Sequence, residues 1–265
     1  PMEHSIQIAT YLAAALLSLF STATPVPAHK SDIASIAEWE ATWTSVLTKY
    51  VDDRGRVDFF ALKQDHDDLD RVVVFIAAVD PVSHPQLFPD KAAPLAFDLN
   101  AYNALAMYGV LNAGIPESLG GLTKFSFFYL RTFTVGGHSI SLYDFENKVI
   151  RPFGDERVHF ALNCMVVGCP RLPRVAFSAE TLDRQLDGAT RQFMAEERNI
   201  RVSASRREVW LSALFDFYQT DFLAHAPTLI DYVNRHRAEQ IPSDFRVHFL
   251  SYDWTVNDRS HVGRS

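Results

Sequence analysis

Apolar residues recur at helical spacing in several stretches of the chain, and these stretches predict amphipathic helices. The predicted helices are residues 36–47, 69–79, 93–114, 182–194, 212–222 and 228–237. A good N-cap pair, Ser31-Asp32, precedes the first helix. A further short helix is expected after Ser141, which is well suited to cap it.

Segments rich in β-branched and aromatic residues predict short strands between the helices. Thr132–Val135 and His138–Ser141 flank Gly136-Gly137, a strong signal for a two-residue hairpin. Further strands are predicted at residues 201–203, 208–211 and 245–250. Helices and strands alternate without a strand–helix–strand rhythm. The pattern therefore predicts an α+β fold: a single domain with a mainly antiparallel sheet and a β-hairpin packed against several helices.

Residues 1–28 differ from the rest because an almost unbroken apolar run, Ile6–Phe20, is followed by small residues and prolines. Val26-Pro27-Ala28 resembles a small-x-small cleavage signal, so a cleaved signal peptide is expected, with an N-terminal anchor or a buried helix as alternatives. We therefore expect a secreted or extracytoplasmic protein, with one globular domain at 29–258 and a disordered tail at 259–265. No later apolar run approaches the roughly 20 residues that a membrane-spanning helix needs.

Composition narrows the classes of function. The net charge of −7 argues against nucleic-acid binding. The sequence has no glycine-rich phosphate loop, no dinucleotide-binding fingerprint and no H-E-x-x-H motif, so no cofactor and no metal site are predicted. The 20 phenylalanines indicate a large aromatic core.

Both cysteines lie in one stretch, His159–Pro170, which begins as a predicted buried strand and ends in a turn. Three interpretations are open. In an oxidising compartment, Cys164 and Cys169 would form a disulfide if the residues between them turn back. Alternatively, a reactive thiolate has His159 as its base, which requires a bend after Asn163 because a straight strand puts His159 and Cys164 on opposite faces. The third is a Cys/Cys/His metal site, for which a fourth ligand and the usual C-x-x-C spacing are missing.

Asn100 and Asn103 lie three residues apart in the predicted helix 93–114 and share one of its faces. Asparagine is a poor helix former, so two on one apolar helix indicate buried hydrogen bonding. Either backbone groups satisfy both amides, or one of them acts in an active site.

Four motifs, in order along the chain, resemble those of one protein family. Phe97–Leu105 resembles its I-N-A-Y-N-A-L helix, and Val135–Arg151 resembles its hairpin and the D-x-E-x-x-x-x-R helix that follows. His159–Pro170 matches its most specific motif, and Tyr252–Asn257 is similar to its closing Y-D-W-x-L-N. Over roughly residues 39–257, the chain thus resembles the family called domain of unknown function 547.

This resemblance implies little about activity, because no activity defines the family, although its bacterial members look exported. One departure is visible at Met165–Val167, where small residues are usual, and it makes a tight small-residue pocket at this turn less expected. The order helix, strand, strand is also that of papain- and transglutaminase-type hydrolases, by analogy of fold alone. Here, however, the helix carries asparagine where those enzymes place cysteine.

The polar residues of these motifs are a set suited to acyl transfer or amide hydrolysis. The catalytic candidates are Cys164 or a water as nucleophile, His159 as base, Asn103 as an oxyanion or orienting amide, and the acid Glu146. The substrate-binding candidates are Asn100, Arg151 and Asp253. Arg151 is also expected to hold Glu146 in an ion pair, and Asp253 to orient a histidine.

Two functions of different classes follow. The first is an exported hydrolase or acyl transferase acting on an amide or peptide-like substrate, and it requires Asn103, Glu146, His159 and a cysteine around one open cleft. The second is a non-catalytic, disulfide-stapled domain that binds a small-molecule or peptide-like ligand in a cleft near the hairpin. In that case the same polar side chains form a buried hydrogen-bond network that holds the helix, hairpin and central stretch together.

Overall fold

The computed structural model of the chain describes residues 23–28 and 32–261, in which two small sheets pack against helices as the predicted α+β fold requires. The α-helices are α1 (Ile36–Tyr50), α2 (Phe59–Gln64), α3 (Asp67–Ala78), α4 (Ala92–Asn112), α5 (Leu122–Phe125), α6 (Leu142–Asp144), α7 (Leu182–Ala195), α8 (Leu214–Phe217), α9 (Gln219–Leu223) and α10 (Leu229–Arg235). The strands are β1 (Thr132–Val135), β2 (His138–Ser141), β3 (Ile200–Ser203), β4 (Glu208–Leu211) and β5 (Arg246–Phe249). Segments of 3₁₀-helix are Pro85–Leu87, Arg151–Phe153, Glu156–Phe160 and Arg259–His261, and segments of π-helix are Ser126–Leu130 and Phe145–Ile150.

Five of the six long periodic helices are confirmed, with boundaries shifted by a few residues. The predicted helix 212–222 is instead two short helices, α8 and α9, separated at Tyr218. The N-cap of α1 is Ser35, whose hydroxyl accepts a hydrogen bond from the backbone N–H of Glu38 at 3.2 Å. The predicted cap pair is therefore wrong; Ser31 itself lies outside the described residues. α4 is buried on nearly every side, so it forms the central helix of the fold.

The hairpin is confirmed: β1 and β2 are antiparallel, and the register pairs Val135 with His138 across the two glycines. Its turn docks on the end of α3, because Gly136 and Gly137 donate backbone hydrogen bonds to the carbonyls of Ile76 and Ala77 at 2.9 and 2.7 Å. The hairpin is thereby fixed to the helical layer.

The second sheet has the order β3-β4-β5, with β3 antiparallel and β5 parallel to β4. A parallel neighbour needs a crossover connection, and here α8, α9 and α10 supply it. The sheet is thus mixed. Its crossover helices lie beside the candidate site, and α9 contributes one of its residues.

The predicted strand at the start of His159–Pro170 is wrong, because residues Glu156–Phe160 form a 3₁₀ helix. Two apolar clusters explain the difference. Val158 and Ala161 are buried in the larger cluster with α1, α3 and α4, whereas Phe160 is buried in a second cluster with β3, β4 and the crossover helices. In a helical turn, neighbouring residues can pack their side chains into different clusters. This segment therefore joins the two cores.

The C-terminal segment returns across the molecule and pairs with the turn that holds the cysteines. Gly168 donates to the carbonyl of Asp253 at 2.9 Å, and Val166 forms an isolated β-bridge with Val256. This return brings Tyr252 beside the two sulfurs. Within the predicted tail 259–265, Arg259–His261 forms a 3₁₀ turn, and the backbone N–H of Arg259 donates to the carbonyl of Val57 at 2.9 Å.

Most of the predicted signal peptide, residues 1–22, lies outside the described residues, as do residues 29–31 and 262–265. Residues 23–28 contact the domain: Thr24 donates a backbone hydrogen bond to the carbonyl of Thr132 at 2.8 Å. The hydroxyl of Tyr108 donates to the carbonyl of Pro25 at 3.0 Å. Among the described helices, none is long and apolar enough to cross a lipid bilayer.

Candidate active site

A cavity of about 350 Å³ lies where the two cores meet. Its polar wall contains Glu146, Arg151, His159, Cys164 and Cys169. Aromatic side chains form much of the remainder, namely Tyr102, Phe128, Tyr129, Tyr143, Phe217, Tyr218, Tyr252 and Trp254. Three of the four groups that the enzyme hypothesis requires, Glu146, His159 and a cysteine, are therefore brought to one cavity.

His159 is buried and held from two sides. Its Nε2 lies 2.8 Å from a carboxylate oxygen of Asp221, and its ring stacks on Tyr218 with the ring centroids 3.8 Å apart. Hydrogen bonds from His159 and Arg151 keep the pKa of Asp221 well below its usual range. Asp221 is therefore ionised at neutral pH, and it orients the imidazole with the hydrogen on Nε2.

The second ring nitrogen of His159, Nδ1, has no hydrogen-bond partner within the described part of the chain. It lies 4.0 Å from the nearest carboxyl oxygen of Glu146, which is too long for a hydrogen bond. Buried polar atoms are nearly always hydrogen-bonded, so an unpartnered nitrogen at a cavity is a site for a ligand proton.

Burial raises the pKa of the Glu146 carboxyl, although a hydrogen bond with Tyr218 and the charges of His159 and Arg151 partly oppose this shift. Glu146 lies on the π-helical segment that follows α6, a helix capped by the Ser141 side chain as predicted. π-Helical turns are often found at functional sites. This carboxyl group is thus suited to carry and donate a proton.

The predicted disulfide is wrong: Cys164 and Cys169 are free thiols. The turn does fold back, but Cys169 Sγ accepts a hydrogen bond from the backbone N–H of Cys164 at 3.0 Å and is not bonded to the other sulfur. The turn is made by Met165, which is buried and has a positive φ of 65°, a conformation unusual for a residue with a long side chain.

The two thiols form a hydrogen-bonded pair with Tyr252, whose hydroxyl lies 3.3 Å from Cys169 Sγ and 3.7 Å from Cys164 Sγ. Burial opposes ionisation of Cys169, but hydrogen bonds from Cys164 and Tyr252 lower its pKa overall. The hydrogen bond to Cys169, together with burial, raises the pKa of Cys164 well above its usual value. The pair therefore releases its first proton more readily than an ordinary thiol and its second less readily.

Asn100 and Asn103 do not line the cavity, so the predicted active-site roles of both amides are corrected. The Asn103 amide donates to the carbonyl of Ala161 at 3.0 Å and accepts from the N–H of Asn163 at 2.7 Å. Asn100 makes the same pair of bonds with the backbone of Phe177, at 2.7 and 2.9 Å. Backbone groups therefore satisfy both amides, as the alternative interpretation expects. The two asparagines fix α4 to the segments that carry the site.

Two other predicted partnerships are also wrong. Arg151 forms its ion pair with Asp221, through two hydrogen bonds of 2.7 and 2.9 Å, and not with Glu146. Asp253 is exposed and accepts a hydrogen bond from the N–H of Thr255 at 2.9 Å, so it does not orient a histidine. The orienting carboxylate is Asp221, on α9.

Sequence reasoning missed Asp221, Tyr218 and Tyr252 as members of the site. Asp221 and Tyr218 lie about 60 residues beyond His159, in a stretch that showed only helical periodicity. Tyr252 belongs to the closing Y-D-W motif, whose aspartate is the expected partner of a histidine because carboxylates commonly orient histidines. The motif does mark part of the site, but its tyrosine, and not its aspartate, contacts the site residues.

No group of three or more His, Cys, Asp or Glu residues within 23–28 and 32–261 is arranged to hold a metal ion. Fold and cavity together define an α+β domain with a buried carboxyl and a buried imidazole beside two thiols. Residues 88–194 match the family model of "Protein of unknown function, DUF547", which confirms the predicted resemblance over that segment. No curated protein and no solved structure matches the chain.

Proposed function

We propose that this protein is a hydrolase or acyl transferase that acts on an amide or peptide-like substrate. The observation that carries the proposal is the unpartnered Nδ1 of the buried His159, which lies in the same cavity as Glu146 and the thiol of Cys164. Nucleophile, base and acid are the three groups that covalent acyl transfer requires.

His159 is the base. Because Asp221 holds the hydrogen on Nε2, the lone pair of Nδ1 is available to take a proton. The ionised Asp221 then stabilises the imidazolium that forms, as a carboxylate does in catalytic triads. Arg151 holds Asp221 in place from its other side.

Cys164 is the nucleophile, because it is the less buried of the two thiols that line the cavity. Its sulfur forms a bond to the carbonyl carbon of the substrate while its proton passes to Nδ1 of His159. The carbonyl oxygen then carries the negative charge. Burial holds the pKa of Tyr252 well above its usual value, so its hydroxyl stays protonated and can donate a hydrogen bond in the cavity.

Glu146 is the acid. When the tetrahedral intermediate collapses, the C–N bond breaks and the leaving amine takes a proton from Glu146. The imidazolium of His159 then returns a proton to Glu146, so both groups regain their starting protonation states. The acyl group remains on Cys164 as a thioester. Water then releases it as a carboxylic acid, or a second amine takes it up, and His159 accepts a proton from either attacking group. As the C–S bond breaks, the imidazolium returns this proton to the sulfur of Cys164.

The test is a panel of N-acylated amino acids, short peptides and chromogenic anilides, assayed with wild type, Cys164→Ala and His159→Asn. Turnover should fall at least about 1000-fold in both variants, and mass spectrometry should detect an acyl adduct on Cys164 of the wild type. His138→Asn is the matched control, because His138 is exposed at the tip of the hairpin. Activity in Cys164→Ala with loss in His159→Asn would instead make water the nucleophile, and full activity in both would refute the proposal.

A second candidate function, a non-catalytic binding domain, is favoured by the aromatic wall. Tyr129 and Tyr143 stack with their centroids 4.4 Å apart, and both are about two-fifths exposed. Exposed stacked rings bind planar or apolar ligand groups without any chemistry. A ligand that binds the wild-type protein and Cys164→Ala equally, and is recovered unchanged, would favour this alternative.

A further inference from the structure

One charged side chain that lines the cavity forms no ion pair within the described residues. Glu146 is a buried carboxyl, and Arg151 is occupied by its two hydrogen bonds to Asp221. Lys124 also lines the cavity, and no carboxylate within 23–28 and 32–261 forms an ion pair with it. It is thus a cationic group at the cavity without an anionic partner in the described part of the chain.

Lys124 is positioned by aromatic rings. Its ammonium lies 4.4 Å from the ring centroid of Trp254 and 5.7 Å from that of Phe217. Cation–π contacts of this kind attract the ammonium but leave its hydrogen-bond donors unused. A ligand anion can therefore bind Lys124 without displacing any existing ion pair.

The rings also connect Lys124 to the thiols. Tyr252 packs against Trp254 with the centroids 4.8 Å apart and against Phe217 at 5.3 Å. The hydroxyl end of Tyr252 reaches both sulfurs. An anion on Lys124 would therefore lie on the Trp254 side of this aromatic pair and a carbonyl at Cys164 beside the Tyr252 hydroxyl, which suits two groups of one small molecule.

The wall between these two points is apolar. Phe128 packs edge-on against Trp254 at 6.1 Å, and the stacked pair of Tyr129 and Tyr143 continues this lining. A flat or bulky apolar group of a ligand would bury its surface here.

We propose that the substrate carries a free carboxylate that binds Lys124, and that it is an N-acylated apolar or aromatic amino acid, or a short peptide with such a C-terminal residue. This inference rests on the proposed function, because it places the scissile carbonyl at Cys164. Lys124 is then a specificity-determining residue. The same substrate with its carboxylate converted to a carboxamide lacks the charge and binds less well.

The experiment compares matched probes, the N-acetyl derivatives of phenylalanine, tyrosine, leucine and glycine, each as the free acid and as the carboxamide. Binding is measured by calorimetry on Cys164→Ala protein, and turnover is measured on the wild type. The acids of the apolar members should bind about 5- to 10-fold more tightly than their amides, the range expected of a partly exposed charge pair with hydrogen bonds. Lys124→Gln in the same background should abolish this preference, and Lys124→Arg should keep it.

Lys148→Gln is the matched control, since Lys148 is exposed, pairs with Asp144 and is not part of the cavity wall. It should leave the preference unchanged. Equal binding of acids and amides, a preference that survives in Lys124→Gln, or no binding of any acid at millimolar concentration would each overturn the inference.

The outcomes separate the two proposals. If acids bind more tightly than amides in a way that depends on Lys124, but no probe is turned over, the carboxylate site is supported and the proposed enzyme activity is not. If turnover requires Cys164 but is equally fast for acids and amides, the proposed enzyme activity is supported and the role of Lys124 is refuted.

Discussion

At the scale of single residues, neighbours from distant parts of the chain determine the chemistry of the site. His159 has its tautomer set by Asp221, and Glu146 has its pKa raised by the apolar surroundings in which both groups are buried. Neither effect is a property of the isolated side chain. Both can be tested by changes that keep the shape of the residue and alter its protonation.

Glu146→Gln should cut turnover about 100-fold or more, the usual contribution of a general acid, yet stabilise the fold at neutral pH. The folded-state pKa of Glu146 is raised, so the folded protein binds this proton more tightly than the unfolded chain does. Stability therefore falls as pH rises from the unfolded pKa through the folded one.

The neutral amide of this variant avoids that loss, so wild type and variant should have similar stability near pH 4 and differ near pH 8. Urea unfolding across this range measures the difference. Glu197→Gln is the control, because Glu197 is exposed. A variant less stable than wild type at pH 8 would contradict the assignment.

The thiol pair should ionise in two steps, one below and one above the ordinary thiol pKa of about 8.5. The reason is that Cys164 and Tyr252 stabilise a thiolate on Cys169, whose charge then opposes ionisation of Cys164. Ultraviolet thiolate absorbance during a pH titration measures both steps. Cys169→Ala should show a single step that lies below the upper wild-type step, because the hydrogen bond and charge of Cys169 no longer oppose ionisation of Cys164. One step of double amplitude near 8.5 in the wild type would refute the pairing.

At the scale of elements, the hairpin shows why two adjacent glycines are not equivalent. Gly136 and Gly137 both have positive φ, of 54° and 82°. A Cβ at Gly137 would meet open space, whereas a Cβ at Gly136 would overlap the carboxylate of Asp80. The positive φ of the turn explains why both positions are glycine. At Gly136 there is a second reason: Asp80, just beyond α3, leaves no space for a Cβ.

Gly136→Ala should therefore destabilise the protein by about 2–4 kcal/mol, and Gly137→Ala by about 1 kcal/mol, the cost of a positive φ alone. The comparison isolates the contact with Asp80, because both variants share the backbone strain. Urea unfolding at one pH measures the two values. Equal losses would show that the hairpin turn does not pack closely on α3.

At the scale of the whole molecule, the site exists only because two cores meet. The larger core carries Glu146 and the cysteine turn. The crossover region of the second core carries Asp221 on α9 and Tyr218 between α8 and α9. The 3₁₀ segment Glu156–Phe160 joins them and places His159 between the two sets of partners. A small change at the contact between the cores should therefore lower the catalytic rate while leaving the free energy of unfolding nearly unchanged.

Asp221→Asn tests this contact, because it keeps the size of the side chain and removes the charge that orients His159. We expect kcat to fall about 1000-fold and the pH profile to change, since the Nε2 hydrogen is no longer fixed. Asp216→Asn on the neighbouring helix α8 is the control, because Asp216 is exposed. An unchanged pH profile in Asp221→Asn would show that Asp221 is not the positioning residue.

Local rules account for much of the fold. The periodicity of apolar positions predicted α1, α3, α4, α7 and α10, and the glycine pair predicted the hairpin, because helix stripes and two-residue turns depend on neighbours within a few positions. The same rules failed at Glu156–Phe160. A short apolar run there is compatible with strand or helix, and only the positions of the two cores decide between them.

Local patterns in the chain are sufficient to predict the α+β class, the family resemblance over the matched segment, and Glu146, His159 and the two cysteines as candidate site residues. Their partners depend on the tertiary fold. In the folded chain, both thiols are free and the amides of Asn100 and Asn103 hydrogen-bond backbone groups. The carboxylate beside His159 is Asp221 and not Asp253. The physical reason is that hydrogen bonds and desolvation depend on distances of a few ångströms between residues far apart in the chain, and no local pattern encodes those distances.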